Sequence, residues 1–164
     1  MNKFLAILFS SLLGASIASA QVPPSVDGAW VRASVPGQLA TGAFMRITAK
    51  EPMQLVGASS PVAGIAEVHE MKMEGDVMRM RPAGPVDLPV GRAFELKPGG
   101  YHIMLQDLKK PLQAGANVPI TLVFRSAKGV ESRLEVHAPV ALQPPAEAGA
   151  TGGMPGMVRG DHKR

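Results

Sequence analysis

Val68-His69-Glu70-Met71-Lys72-Met73-Glu74-Gly75-Asp76-Val77-Met78-Arg79-Met80-Arg81 alternates with a period of two on both sides of a glycine. That period belongs to a β-strand, whose successive side chains point to opposite faces. His69, Met71 and Met73 therefore share one face of a first strand, with Glu70 and Lys72 on the other. Met78 and Met80 share a face of a second strand, opposite Arg79 and Arg81. Gly75 accepts positive φ, so the two strands read as a hairpin. A Glu74-Gly75 turn sets Met71 against Met78 and His69 against Met80, whereas a Gly75-Asp76 turn sets Met71 against Met80. Both registers keep every Met and His69 on one face.

The same punctuation continues outward. Gly28–Ala33, Ala43–Ala49, Met53–Ala58 and Ile65–Met73 read as strands, followed by Val77–Arg81, Ala93–Leu96, Tyr101–Leu105, Ile120–Phe124 and Val130–His137. Each is bounded by Pro, Gly, Ser or charged residues. Gln106–Lys109 reads as a helical turn before Pro111. With 15 Pro and 18 Gly in 164 residues, long helices are repeatedly interrupted. An all-β fold, a Greek-key β-sandwich or barrel, is expected.

Residues 1–20 read as a signal peptide. Lys3 is the positive n-region, Phe4–Ile17 is apolar, and Ala18-Ser19-Ala20 offers a small-residue cleavage site after Ala20. The apolar run is shorter than the roughly twenty residues of a membrane span, so no membrane span is expected after cleavage. Residues 21–140 form the expected single domain. The tail, 141–164, is rich in Pro, Gly and Ala, and is expected to be disordered because it offers little to bury. The net charge of +4 is scattered, with Lys109–Lys110 and Lys163–Arg164 as the only basic doublets. One Trp, one Tyr and five Phe interleave poorly with those charges, which argues against a nucleic-acid partner.

The chain contains ten Met and no Cys. Disulfides, thiolate metal sites and Cys nucleophiles are thereby excluded, including the Cys-ligated blue-copper centre. In Pro98-Gly-Gly-Tyr-His102-Ile103-Met104, alternation puts His102 and Met104 on the same side. His69, Met80, His102 and Met104 can then converge from a hairpin and a Gly-rich segment. Thioethers are neutral and soft, so they select Cu(I) over hard cations, and imidazole suits copper as well. Two imidazoles and two thioethers would leave a Cu(I) site with a charge of only about +1. Packing is the commoner role for a Met stripe, and it competes with ligation at Met71, Met73 and Met78. A lone His137 reads as a solvated or hydrogen-bonded side chain.

The spacing His69, ten residues, Met80, twenty-one residues, His102, one residue, Met104 resembles the motif of the periplasmic copper chaperones called PCuAC. From the chain's own His and Met frequencies, this spacing arises by chance with an expectation of roughly 0.0003. Leu96-Lys-Pro-Gly-Gly-Tyr-His-Ile-Met-Leu105 and Val118-Pro-Ile-Thr-Leu-Val-Phe124 extend the resemblance, as does Ala29-Trp-Val-Arg32 through Thr41–Met45. It covers about Asp27 to Val140.

The resemblance implies a cupredoxin-like sandwich and one Cu(I) held by His69, Met80, His102 and Met104. It also implies delivery of copper to the CuA-bearing subunit of cytochrome c oxidase, alongside a Sco-type thioredoxin-like protein. The expected protein is a periplasmic monomer and not an enzyme, with passive copper storage or tolerance as the alternative. Met71 and Met78 are accessory candidates. Met154, Met157 and His162 in the tail are candidates for a further site, one that takes Cu(II).

Overall fold

A computed structural model of the protein describes residues 22–146, which form ten strands and no α-helix. They are β1 Ser25–Arg32, β2 Ala40–Thr48, β3 Met53–Ser59, β4 Ala63–Glu74 and β5 Val77–Pro82. β6 Val86–Leu88, β7 Ala93–Leu96, β8 His102–Leu108, β9 Asn117–Ser126 and β10 Glu131–Ala141 follow. The strand path runs β5-β4-β8-β2-β1-β10-β9-β3-β6, and β7 pairs with the second half of β2. A short parallel join, Val31 to Val140 and Arg32 to Ala141, links the β5-to-β1 half to the β10-to-β6 half. The all-β architecture agrees with the sequence pattern.

Alternation explains which residues form the core. Along β9, Val118, Ile120, Leu122 and Phe124 are buried while their neighbours are partly or fully exposed. They meet Leu55 of β3 and, from the other half, Val31, Ile47, Ile103 and Leu105 in one apolar cluster. Burying each such side chain contributes about 1.5–3 kcal/mol, so a Cys-free domain can be held by packing. Because Ile103 and Leu105 point inward, His102 and Met104 must point outward from β8.

Two local expectations are corrected. Residues 106–108 continue β8, with no helical turn: Leu108 N–H donates to the Leu39 carbonyl and Lys109 N–H to the Val62 carbonyl, so non-local partners hold this segment in the sheet, with Asp107 at a φ of 53°. The three-residue β6, caught between Pro85 and Pro89, is an additional strand that pairs with β3. The expected leader, residues 1–20, and most of the 141–164 tail, including Met154, Met157 and His162, lie outside the described residues. β10 itself runs through Ala141.

Candidate metal centre

The β4–β5 hairpin closes on a Glu74–Val77 pair, leaving Gly75-Asp76 as the two-residue loop. Gly75 has φ of 62° and Asp76 is not in the positive region, the pattern of a II′ turn with Gly in first place. Of the two registers open from sequence, the structure takes the one that pairs Met71 with Met80 and Met73 with Met78. His69 consequently faces Pro82 on that side, and the first register, with His69 against Met80, does not occur.

On its other edge β4 pairs with β8, which puts His69 directly opposite His102 and Glu67 opposite Met104. The two imidazole centroids are 6.0 Å apart. His69 is 8% exposed and His102 5%. This pair lies on the outward face of the sheet, away from the apolar core, on the second and third strands counted from the β5 edge. His69 and Met80 belong to the β4–β5 hairpin at the sheet edge, and Met80, on edge strand β5, is 47% accessible.

The ring nitrogens are used asymmetrically. His69 Nε2 lies 3.3 Å from Glu67 Oε2, and its Nδ1 is buried without a hydrogen-bond partner. His102 Nδ1 donates to the Gly100 carbonyl at 3.1 Å, which directs the Nε2 lone pair away from that bond. A carboxylate or carbonyl on one ring nitrogen is the usual way a metal-binding His is oriented and its tautomer set. Burial pushes the His102 pKa below its ordinary 6.5; the Gly100 hydrogen bond opposes this, and nearby His69 and Arg32 reinforce it. The ring is therefore held neutral, the state in which a nitrogen can bind a metal.

Met71, Met80, His102 and Met104 line a cleft of about 320 Å³ together with Pro98, Gly99, Arg32, Gly42 and Phe44; His69 does not line it and reaches it only through the neighbouring His102 ring. Sequence reasoning missed Phe44 and Glu67. Phe44 lies 6.3 Å from the His102 ring and 4.7 Å from Trp30, and Arg32 sits 5.5 Å over its face. Glu67 is two residues before His69, and its acidic side chain on the His face was the available signal. His137 is exposed beside Glu135, 3.2 Å away, as a solvated side chain. Among the described residues no group of three or more His, Cys, Asp or Glu can hold a metal. Any metal set here must therefore recruit thioethers.

An open Greek-key sandwich with a His and Met cluster on an outer sheet face defines the class: a cupredoxin-like domain without a Cys-centred site. Residues 25–140 match the family model described as "Putative lipoprotein LpqE-like", and the chain belongs to that family. "Putative lipoprotein Lxx21020" of Leifsonia xyli subsp. xyli (strain CTCB07) is 35% identical over 130 residues, 73% of this chain and 78% of that one. Among solved structures, the apo PCuAC domain from PmoF1 shares 26% identity, with a TM-score of 0.58 over 76% of this chain and 98% of that one. The Cu(I) form of DR1885 from Deinococcus radiodurans shares 31% identity, with a TM-score of 0.54 over 80% of this chain and 85% of that one. The resemblance to PCuAC domains thus holds at the level of family and fold.

Proposed function

We propose that this protein binds one Cu(I) through His69, Met80, His102 and Met104 and passes it on by ligand exchange. The observation that carries this reading is the buried His69–His102 pair. One nitrogen of each ring is engaged by Glu67 or Gly100, and the His69 Nδ1 lone pair is buried without a partner. An orphaned buried polar atom costs about 1–3 kcal/mol, a cost that a metal ion would offset. Neutral imidazoles and thioethers suit Cu(I), and the half-exposed Glu67 carboxylate adds a compensating negative charge beside His69.

The gradient of exposure supports delivery over storage. Met80 is open to an incoming ligand while both imidazoles are shielded. An acceptor would displace the thioethers first and the imidazoles last. The acceptor implied by the family is the CuA-bearing subunit of cytochrome c oxidase, with a Sco-type thioredoxin-like protein working alongside. The protein acts as an exported, periplasmic monomer after cleavage at Ala20 and has no catalytic role. Two features support export: the 1–20 segment and the lipoprotein description of its family. The 164 residues contain no Cys to carry a thioether-linked lipid.

The test is anaerobic titration of the mature chain with Cu(I) against a competing chelator, beside His102→Ala and Met104→Ala. One tightly bound equivalent, weakened by orders of magnitude in both variants, is expected. Weak binding, or binding indifferent to both substitutions, would overturn the reading.

A further inference from the structure

The β4–β5 hairpin has two chemically separate faces. One carries Glu70, Lys72, Glu74, Arg79 and Arg81, with Glu74 ion-paired to Arg79 at 3.0 Å and to Arg81. The other carries Met71, Met73, Met78 and Met80 as two cross-strand rungs. In a two-residue hairpin the pair next to the loop is hydrogen-bonded and the pairs then alternate. Met73–Met78 and Met71–Met80 therefore both occupy non-hydrogen-bonded positions, where Cα atoms approach to about 4.5 Å and side chains lie closest. The rungs are two residues apart, about 7 Å.

These thioethers are not filling a core. Met73 is 56% exposed and Met78 46%, whereas Met45 and Met53 of the same chain are buried as ordinary packing. The ladder between β4 and β8 ends at His69–His102, and beyond it the Met71 N–H, bonded to the Gly100 carbonyl, and a side-chain hydrogen bond between Tyr101 and Glu70 tie the base of the hairpin to the sheet. The Met73–Met78 rung projects past those ties. An exposed patch made only of thioethers, adjoining through Met71 and Met80 a cleft lined by the His102 imidazole, suits a soft monovalent cation better than an apolar docking partner, since no Leu, Ile or Val shares the face.

We propose that Met73 and Met78, joined by a thioether of the Met71–Met80 rung, form a second and weaker Cu(I) site through which copper is loaded onto and released from the His69–His102 site. The inference rests on the function proposed above. Each step exchanges one neutral ligand, a thioether or an imidazole nitrogen, for another on the same cation; no electron moves and no proton is released.

The experiment labels the Met methyl groups with ¹³C in the full mature chain and adds Cu(I) anaerobically as its acetonitrile complex. The first equivalent is expected to shift the Met80 and Met104 methyls. The second is expected to shift those of Met73 and Met78, with buried Met45 and Met53 unmoved as internal controls of the fold. In the Met73→Leu/Met78→Leu protein the first equivalent still binds and the second is lost. If the Met73 and Met78 methyls stay still through two equivalents, or the second equivalent shifts only Met154 and Met157, the second site is refuted and the main site stands. If Met80 and Met104 do not respond to the first equivalent, the proposed function itself fails.

Discussion

Gly42→Ala tests how the wall behind His102 is built. Gly42 stands opposite Met104 in the β2–β8 ladder. A Cβ at this position would lie 2.7 Å from the tip of the Phe44 ring and 3.3–3.4 Å from its flanking carbons. Ordinary contact needs about 3.5–4.0 Å, so the ring tip must retreat by roughly 1 Å. Phe44 cannot swing freely, because Trp30, Arg32 and His102 surround it. Overpacking of this kind costs about 1–3 kcal/mol, offset by the roughly 0.5–1 kcal/mol that removing a strand glycine returns. The net expectation is a loss of about 0.5–2 kcal/mol, together with weaker Cu(I) binding as His102 is displaced. Urea unfolding can be followed by the fluorescence of Trp30, the sole Trp, which touches the ring that moves. Phe44→Leu should relieve the clash, so the Gly42→Ala/Phe44→Leu double variant should lose at least about 0.5 kcal/mol less than the sum of the singles. Wild-type stability with unchanged Trp30 emission, or strict additivity in the cycle, would refute this account of the wall.

Three other outcomes are expected. Glu67→Gln removes the anionic partner of His69 Nε2 and should weaken Cu(I) binding about 10–100-fold in chelator competition, with little change in unfolding. Burial lowers the His102 pKa, so the unfolded chain binds this proton more readily than the folded one. Apo stability should therefore be level above about pH 7 and fall as pH drops below the ordinary 6.5, by up to about 1.4 kcal/mol per pH unit, until the folded group itself titrates. His102→Gln should flatten that slope in denaturation measured across pH. Leu122→Ala, at a fully buried position of β9, should cost about 2–5 kcal/mol in the same unfolding assay without changing the metal stoichiometry.

Much of the fold was legible because it is written in local alternation. β4, β5 and β9 repeat with period two over six or more residues, and Gly75 marks the turn between the first two. The exact register was not legible: both candidate turns satisfied the same facial pattern, and closing on Glu74–Val77 depends on how β4 is seated against β8. β6 is too short for a periodic signal. Residues 106–109 resembled a helix end in their Lys-Lys-Pro chemistry, yet Leu39 and Val62, far away in sequence, capture their backbone. The same limit applies at the site. That His102 and Met104 share a side follows from spacing alone. That His69 faces His102, with Phe44 behind, arises from pairings between residues more than 30 positions apart and has no local signature, whereas Glu67, two residues before His69, had one.

The placement of donors in the sheet bears on what the domain can do with a metal. A ladder pair fixes two Cα atoms through backbone hydrogen bonds, so the His69–His102 geometry is set by the sheet and costs little extra ordering when a ligand arrives. The thioethers differ in their support. Met104 is on the same strand as His102, between β4 and β2, whereas Met80 is on the edge strand and reaches the cleft by a flexible side chain. The two classes of ligand would then divide the work. In the proposed site a pre-organised, shielded imidazole pair would supply affinity, and exposed, exchangeable sulfur would supply a path for exit. A cysteine in place of Met80 would bind Cu(I) more tightly but could be oxidised in an exported protein and would release metal less readily. Transfer without a net proton or electron is what neutral thioethers allow, and the absence of Cys from the chain is consistent with that requirement.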